Sequence, residues 1–155
     1  MTERQSTCAT FDPLARFRFA SPTFASQAVR GETITVFGPG TQSRCFGHVS
    51  DAVESVTRLM RTPSAAGRAF NVGNDEEVTI LRLAELVRDA AESSSPIVRV
   101  PYDEAYAIGF EDMPRRVPDL SRLEQTIGFR PRTPLAQIID DVVADQRALL
   151  ESVGA

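Results

Sequence analysis

TITVFGPGTQSRCFGHVSD, residues 33–51, is the stretch around which the rest of the chain is read. It opens with a short apolar strand, Ile34-Thr35-Val36-Phe37. The turn Gly38-Pro39-Gly40 follows, where two glycines permit backbone angles that other residues avoid. One isolated cation, Arg44, precedes a second apolar run, Cys45-Phe46-Gly47-His48-Val49. Ser50 and Asp51 then read as a helix start, with Glu54 three residues beyond Asp51 in the spacing of a capping box. Two readings fit this pattern. In the plainer one it is a β-hairpin carrying a surface arginine. In the other, Phe37 and Arg44 stand at either end of one tight connection and take a nucleotide diphosphate. The ring packs on the base and the guanidinium fork holds phosphate oxygens.

At 155 residues, 42% hydrophobic and 25% charged, the chain fits one globular domain with a modest core. A net charge of −4 speaks against broad nucleic-acid binding. All 17 basic residues are arginine, and the chain has no lysine. Cys8 and Cys45 lack metal-ligand spacing, and His48 is the single histidine, so a zinc site is not expected. A reduced, cytoplasmic setting is the expectation. No apolar run reaches the ~18 residues of a membrane span, and no signal-peptide core is visible.

Residues 1–20 are expected to form a separate N-terminal segment, a polar tail followed by aromatics without a clean period. Residues 21–155 are expected to form the domain. Ser21-Pro22 reads as a helix start and Gly31 as its end, with Phe24, Ala25, Ala28 and Val29 on one stripe. A second helix, from Asp51 to about Thr62, presents Val53, Val56, Thr57 and Met60 and reads as ordinary core packing. Ala69-Phe70-Asn71-Val72 reads as a strand, and Thr79 as the cap of a helix running to about Glu92, with Ile80, Leu83, Ala84, Val87 and Ala91 on its apolar face. Ile97–Val100 is the next expected strand.

The segment Pro101–Pro118 is long for a loop in a compact domain, and such loops are functional or disordered. It carries Tyr102, Asp103, Glu104, Tyr106, Glu111, Asp112, Arg115 and Arg116, too polar a set to drive its own burial. Asp119 or Ser121 caps a short helix that ends at Gly128. Thr133-Pro134 opens a last, amphipathic helix with Leu135, Ile138, Ile139, Val142, Gln146, Leu149 and Leu150 on one face.

Several of these stretches resemble one family. Residues 36–51 are similar to the "VFGDGTQTRCFCHVDD" region of extended short-chain dehydrogenases/reductases that act on nucleotide sugars, the NAD-dependent epimerases and dehydratases. "AFNVGNDEEVTILRLAELV" is similar to the family's "YNIGNPEEFTILELAELV". Phe129-Arg130-Pro131 fits its G-[WFY]-x-P pattern, and Arg116 precedes the x-Pro-Asp step where the family places an arginine. Met113 departs from the family, where many relatives have proline. The resemblance covers roughly Pro22 to Leu150 and corresponds to the C-terminal part of such enzymes. It implies a small mixed α/β substrate-binding domain without a complete Rossmann domain, and it leaves residues 1–20 unmatched, as at the junction of a truncated or frame-shifted gene.

What the resemblance implies chemically is half of a site. Phe37, Gln42, Arg44 and Arg116 are the candidate substrate-binding residues, with the two arginines clamping the diphosphate of a UDP- or dTDP-sugar from two sides and Gln42 supporting the turn or touching the ligand. Relatives exchange hydride with NAD and use a tyrosine with a lysine four residues on. With no lysine, that pair cannot form here, and no residue is assigned as catalytic. Gly38-Pro39-Gly40 does not continue as G-x-G-x-x-G, so no residue is assigned to NAD. His48 is expected to pack with a satisfied nitrogen on an apolar strand, and Cys45 to be a small buried hydrophobe. Three readings stay open: a substrate-binding portion inactive alone, half of a split enzyme completed by a Rossmann-domain chain, or a non-catalytic interaction protein using the apolar face that an absent domain would leave. None involves nucleic acid or a membrane.

Overall fold

The computed structural model describes residues 20–105 and 113–153. The segment expected over residues 1–20 lies outside them apart from Ala20, as do Tyr106, Glu111 and Asp112 of the long loop. Three helices and one strand make the core. α1 (Ala20–Val29), α3 (Ile80–Ala90) and α6 (Leu135–Val153) pack on one another, and α1 and α3 also pack against β1 (Ile34–Phe37). β1 alternates, with Ile34 and Val36 fully buried, as a strand covered on one face should. Phe24 and Ala25 of α1, and Leu83 and Val87 of α3, close the core over it.

β1 pairs in parallel with β4 (Ile97–Val100), Ile34 opposite Ile97 and Phe37 opposite Val100. β2 (Ser43–Cys45) belongs to a second sheet and pairs antiparallel with β3 (Glu77–Thr79). The hairpin reading is therefore corrected: β1 and β2 are not partners, and the glycine turn carries the chain from one sheet to the other. Gly38 and Gly40 both have positive φ, 75° and 76°, as the turn reading requires. At Gly38 a Cβ would also stand 2.3 Å from the Tyr102 ring.

The helix caps follow the sequence unevenly. Thr79 caps α3, its Oγ1 accepting from Arg82 N at 3.2 Å. α5 (Ser121–Ile127) stops at Gly128, and Asp119 Oδ1 accepts from Ser121 N at 2.9 Å. α6 starts directly after Pro134 and keeps Leu135, Ile138 and Ile139 buried, but further along the core takes Val143 and leaves Leu149 exposed. α1 begins at Ala20, so Ser21 lies inside the helix instead of capping it. The long loop opens with a short helix, α4 (Tyr102–Ala105). Residues 69–72 form no strand among the described residues; β3 lies five residues further on, where β2 offers a partner.

α2 (Val49–Met60) departs most from expectation. It starts before Ser50 and is capped by His48, whose ring accepts from Ser50 N at 3.2 Å. His48 therefore ends a connection and does not sit on a strand. Asp51 accepts from Thr133 N at 3.0 Å. The stripe read as core is exposed, with Val53 at 61% and Met60 at 83%; the buried residue of α2 is Ser55.

Candidate functional site

The site is built where residues 113–116 lie against β2. Ser43 N donates to Pro114 O (2.9 Å) and Arg116 N donates to Ser43 O (3.3 Å), so Ser43 and Arg115 form a parallel bridge. Neighbouring residues of extended chain point to opposite faces. Arg115 goes one way and meets Glu77 on β3 in a two-pronged pair, Nε to Oε1 at 3.0 Å and Nη2 to Oε2 at 2.9 Å. Ser43 donates its hydroxyl to the same carboxylate. Arg116 goes the other way, beside Arg44, whose Nη1 donates to Met113 O and to Ser43 O, both at 2.7 Å.

Arg44 and Arg116 thereby line one concave space of about 540 Å³. Cys45, His48, Ala52, Asn71, Val72, Val117 and Pro118 also line it. Gly47 is needed for the shape, since a Cβ there would stand 3.2 Å from Gly73 Cα. Asn71 holds its own loop by donating to Asp119 O at 3.0 Å. His48 is tied at both nitrogens, Nδ1 to Ser50 Oγ at 2.6 Å and Nε2 to Asp141 Oδ2 at 3.2 Å. Its expected satisfied ring is present, in a different setting.

The electrostatics separate the two arginines of the 115–116 pair. The hydrogen bonds from Arg115 first, and from Ser43 second, hold the Glu77 carboxyl below the usual carboxylate range, and Glu77 in turn raises Arg115. Arg115 is thus committed to the fold. Cys45 is half-buried, more open than expected, and its thiol is pushed up by burial first and by the Glu77 charge second. A raised thiol is a poor nucleophile at neutral pH.

The four candidate residues separate into two pairs. Arg44 and Arg116 share the cavity, while Phe37 and Gln42 are not among its lining residues. Gln42 is 8% exposed and donates Nε2 to Phe37 O at 2.9 Å, bracing the glycine turn; its buried Oε1 meets no hydrogen-bond donor among the described residues. Sequence reasoning missed Asn71, His48 and the anchoring of Arg115. The consecutive arginines in an extended segment were the available signal for the last, because alternation forces only one of them toward a ligand. Among the described residues, no His, Cys, Asp or Glu group is placed to hold a metal ion, and no helix is long and apolar enough to cross a membrane.

One guanidinium from β2 and one from the segment that bridges to it line a single concave wall on a small α/β scaffold. The model of the NAD-dependent epimerase/dehydratase family matches residues 18–73 of this chain. The chain is 35% identical over 122 residues to the UDP-N-acetyl-alpha-D-glucosaminuronate decarboxylase of Bacillus cytotoxicus, covering 79% of this chain and 38% of that protein. It is 36% identical over 124 residues to UDP-glucuronic acid decarboxylase 4 of Arabidopsis thaliana, covering 80% of this chain and 26% of that one. In fold it is similar to the UDP-glucuronic acid 4-epimerase of Bacillus cereus, solved with UDP-glucuronic acid and NAD. That match has a TM-score of 0.74 at 19% identity, over 84% of this chain and 40% of the epimerase. The chain thus spans well under half the length of the relatives it matches.

Similar proteins are solved with NAD, and the Gly38–Gly40 turn is a poor fit for its pyrophosphate. The Gly38–Gly40 turn joins two strands instead of opening a helix. Its glycines are filled by neighbours, Tyr102 at Gly38 and the Leu81 and Val36 side chains at Gly40. Such a turn gives a dinucleotide's pyrophosphate no open cradle of backbone N–H groups.

Proposed function

We propose that this chain is the portion of a nucleotide-sugar enzyme that holds the nucleotide diphosphate of a UDP- or dTDP-sugar. The observation that carries the reading is that Arg44 and Arg116, 72 residues apart in sequence, line the same cavity. Each charge-assisted hydrogen bond to a phosphate contributes about 1.5–3 kcal/mol, against the cost of immobilising the ligand. From the resemblance alone, Phe37, half-buried at the end of β1 and outside the lining of that cavity, is assigned the base, and Gln42 supports its backbone. The sequence has no lysine for the tyrosine–lysine pair of its relatives, so we expect these residues to be inactive alone. A reduced cytoplasmic setting suits the free thiol of Cys45.

Calorimetric titration with UDP, UMP and uridine tests this. UDP is expected to bind at least tenfold more tightly than UMP, and uridine to give no heat. Equal heats for UDP and uridine would remove the diphosphate from the account. Turnover of a UDP-sugar by the purified chain with added NAD would overturn its assignment as inactive alone.

A further inference from the structure

We propose that Glu77 is a positioning residue of the site: it selects which of two consecutive arginines enters the cavity. The inference rests on the reading of Arg44 and Arg116 as holders of a diphosphate. Arg115 and Arg116 are chemically alike and adjacent, so moving their segment by one residue would exchange their faces. The backbone contacts do not choose between the two arrangements. The segment meets β2 through a single bridge, in which Ser43 N donates to Pro114 O and Arg116 N donates to Ser43 O. After a one-residue shift, Ser43 N would find Met113 O and Ser43 O would find the Arg115 N–H. Met113 O already takes Arg44 Nη1, and a carbonyl has a second lone pair to offer. Pro114, which has no N–H to give, is asked for none in either arrangement. Arg115 would then turn to the cavity, and Pro114 would stand where Arg115 now meets β3.

The side chains decide, and they converge on one carboxylate. Glu77 takes Arg115 Nε and Nη2 through its two oxygens, and the Ser43 hydroxyl donates to it as well. Planar two-pronged pairing of this kind fixes direction as well as distance. Glu77 is itself held in place opposite Cys45 in the β2–β3 ladder. The hydrogen bonds from Arg115 first and Ser43 second keep its carboxyl below the usual range, so it stays charged at neutral pH. The shift toward Pro114 would lose both guanidinium bonds. A shift the opposite way would keep an arginine on Glu77 but draw Asp119 away by one residue, about 3.3 Å. Asp119 is anchored, its carbonyl taking Asn71 Nδ2 and its carboxylate the Ser121 N–H at the start of α5. Asp119 thus blocks one direction and Glu77 the other. A tandem of arginines therefore delivers one guanidinium to the ligand and spends the other on choosing it.

The test is a double-mutant cycle read by calorimetric titration with UDP. In the native background Arg116→Ala is expected to lose about tenfold or more in affinity. In the Glu77→Gln background Arg115 can take the vacated place, and Arg116→Ala is expected to cost less than about threefold. Adding Arg115→Ala to that double variant is expected to restore the full loss, a reversal that a merely structural role for Glu77 does not produce. Amide hydrogen exchange supplies a readout that needs no ligand. The Arg116 N–H, bonded to Ser43 O, is expected to be the slower of the two arginine amides in the native chain, and the Arg115 N–H to slow in Glu77→Gln. An equal cost of Arg116→Ala in both backgrounds, or an Arg115 amide that exchanges as fast in Glu77→Gln as in the native chain, would overturn the proposal. Absence of UDP heat in the native chain would sink the diphosphate reading, and the exchange rates would still decide whether Glu77 sets the register.

Discussion

Ser43 and Arg115 pair as neighbouring extended backbones, and this one bridge sets the direction of both cavity arginines. It leaves Arg116 on the face where Arg44 lines the same cavity and sends Arg115 to Glu77. The long loop is therefore pinned to β2 at the point where it matters, three residues before Pro118. The arrangement links the stability of the second sheet to the geometry of the site, and that link makes several outcomes measurable.

The first concerns acid. Glu77 is held below its ordinary range by Arg115 and then Ser43, and Asp75 by Arg130. A depressed carboxylate stabilises the fold above its unfolded value, about 4 for these groups, and the contribution disappears as pH falls through the lower folded value. Thermal stability is expected to be flat across the neutral range and to drop below about pH 4. In Glu77→Gln the acid limb should be shallower and the neutral-pH midpoint slightly lower, read by circular dichroism melts. An unchanged acid limb in that variant would remove Glu77 from the explanation.

Gly38→Ala should be costly for two reasons at one position. The backbone sits at φ 75°, and the new methyl would meet the Tyr102 ring. Backbone strain of this kind costs about 1–3 kcal/mol before any clash. Chemical denaturation should show a loss in that range or greater, whereas Gly67→Ala, with open space around it, should lose only the strain contribution.

Asn74 is 4% exposed and uses both ends of its amide, donating to Thr133 O and accepting from Glu76 N, each at 2.8 Å. Asn74→Ala removes both hydrogen bonds from a buried side chain to part-buried backbone groups, a cost of about 1–2 kcal/mol. The measurement is a urea unfolding curve, with a lower midpoint and an unchanged slope expected.

The Cys45 thiol, raised by burial, should alkylate slowly. In a Cys8→Ser background, Cys45 is expected to react with iodoacetamide several-fold more slowly than glutathione at about pH 8. A rate equal to or above that of glutathione would mean that the thiol is activated, and would reopen its role.

Much of the scaffold was legible because it follows from local chemistry. The Thr79 cap, the Gly128 stop, the Pro134 start of α6 and the apolar period of α3 each depend on residues within a turn of one another. What escaped depends on partners far away in sequence. β3 is three residues long and exists because β2 lies beside it, while Ala69–Val72, the better strand by composition, has no such neighbour among the described residues. The α2 stripe was visible as a period, but a period cannot say what covers it, and here the described core does not. His48 was read from its apolar neighbours, and its position as a helix cap comes from Ser50 and Asp141. The two cavity arginines were legible as a pair only through the resemblance; their meeting needed the Ser43–Arg115 bridge.

The central claim is that Arg44 and Arg116 hold one diphosphate between them. Titrating UDP calorimetrically into the native chain and into Arg44→Ala, Arg116→Ala and Arg115→Lys tests it most directly. The account predicts about a tenfold to hundredfold loss of affinity for each alanine variant, from the charge-assisted hydrogen bonds removed. It predicts a smaller loss for Arg115→Lys, whose side chain faces Glu77. Affinities that are the same in the native chain and in both alanine variants would contradict it.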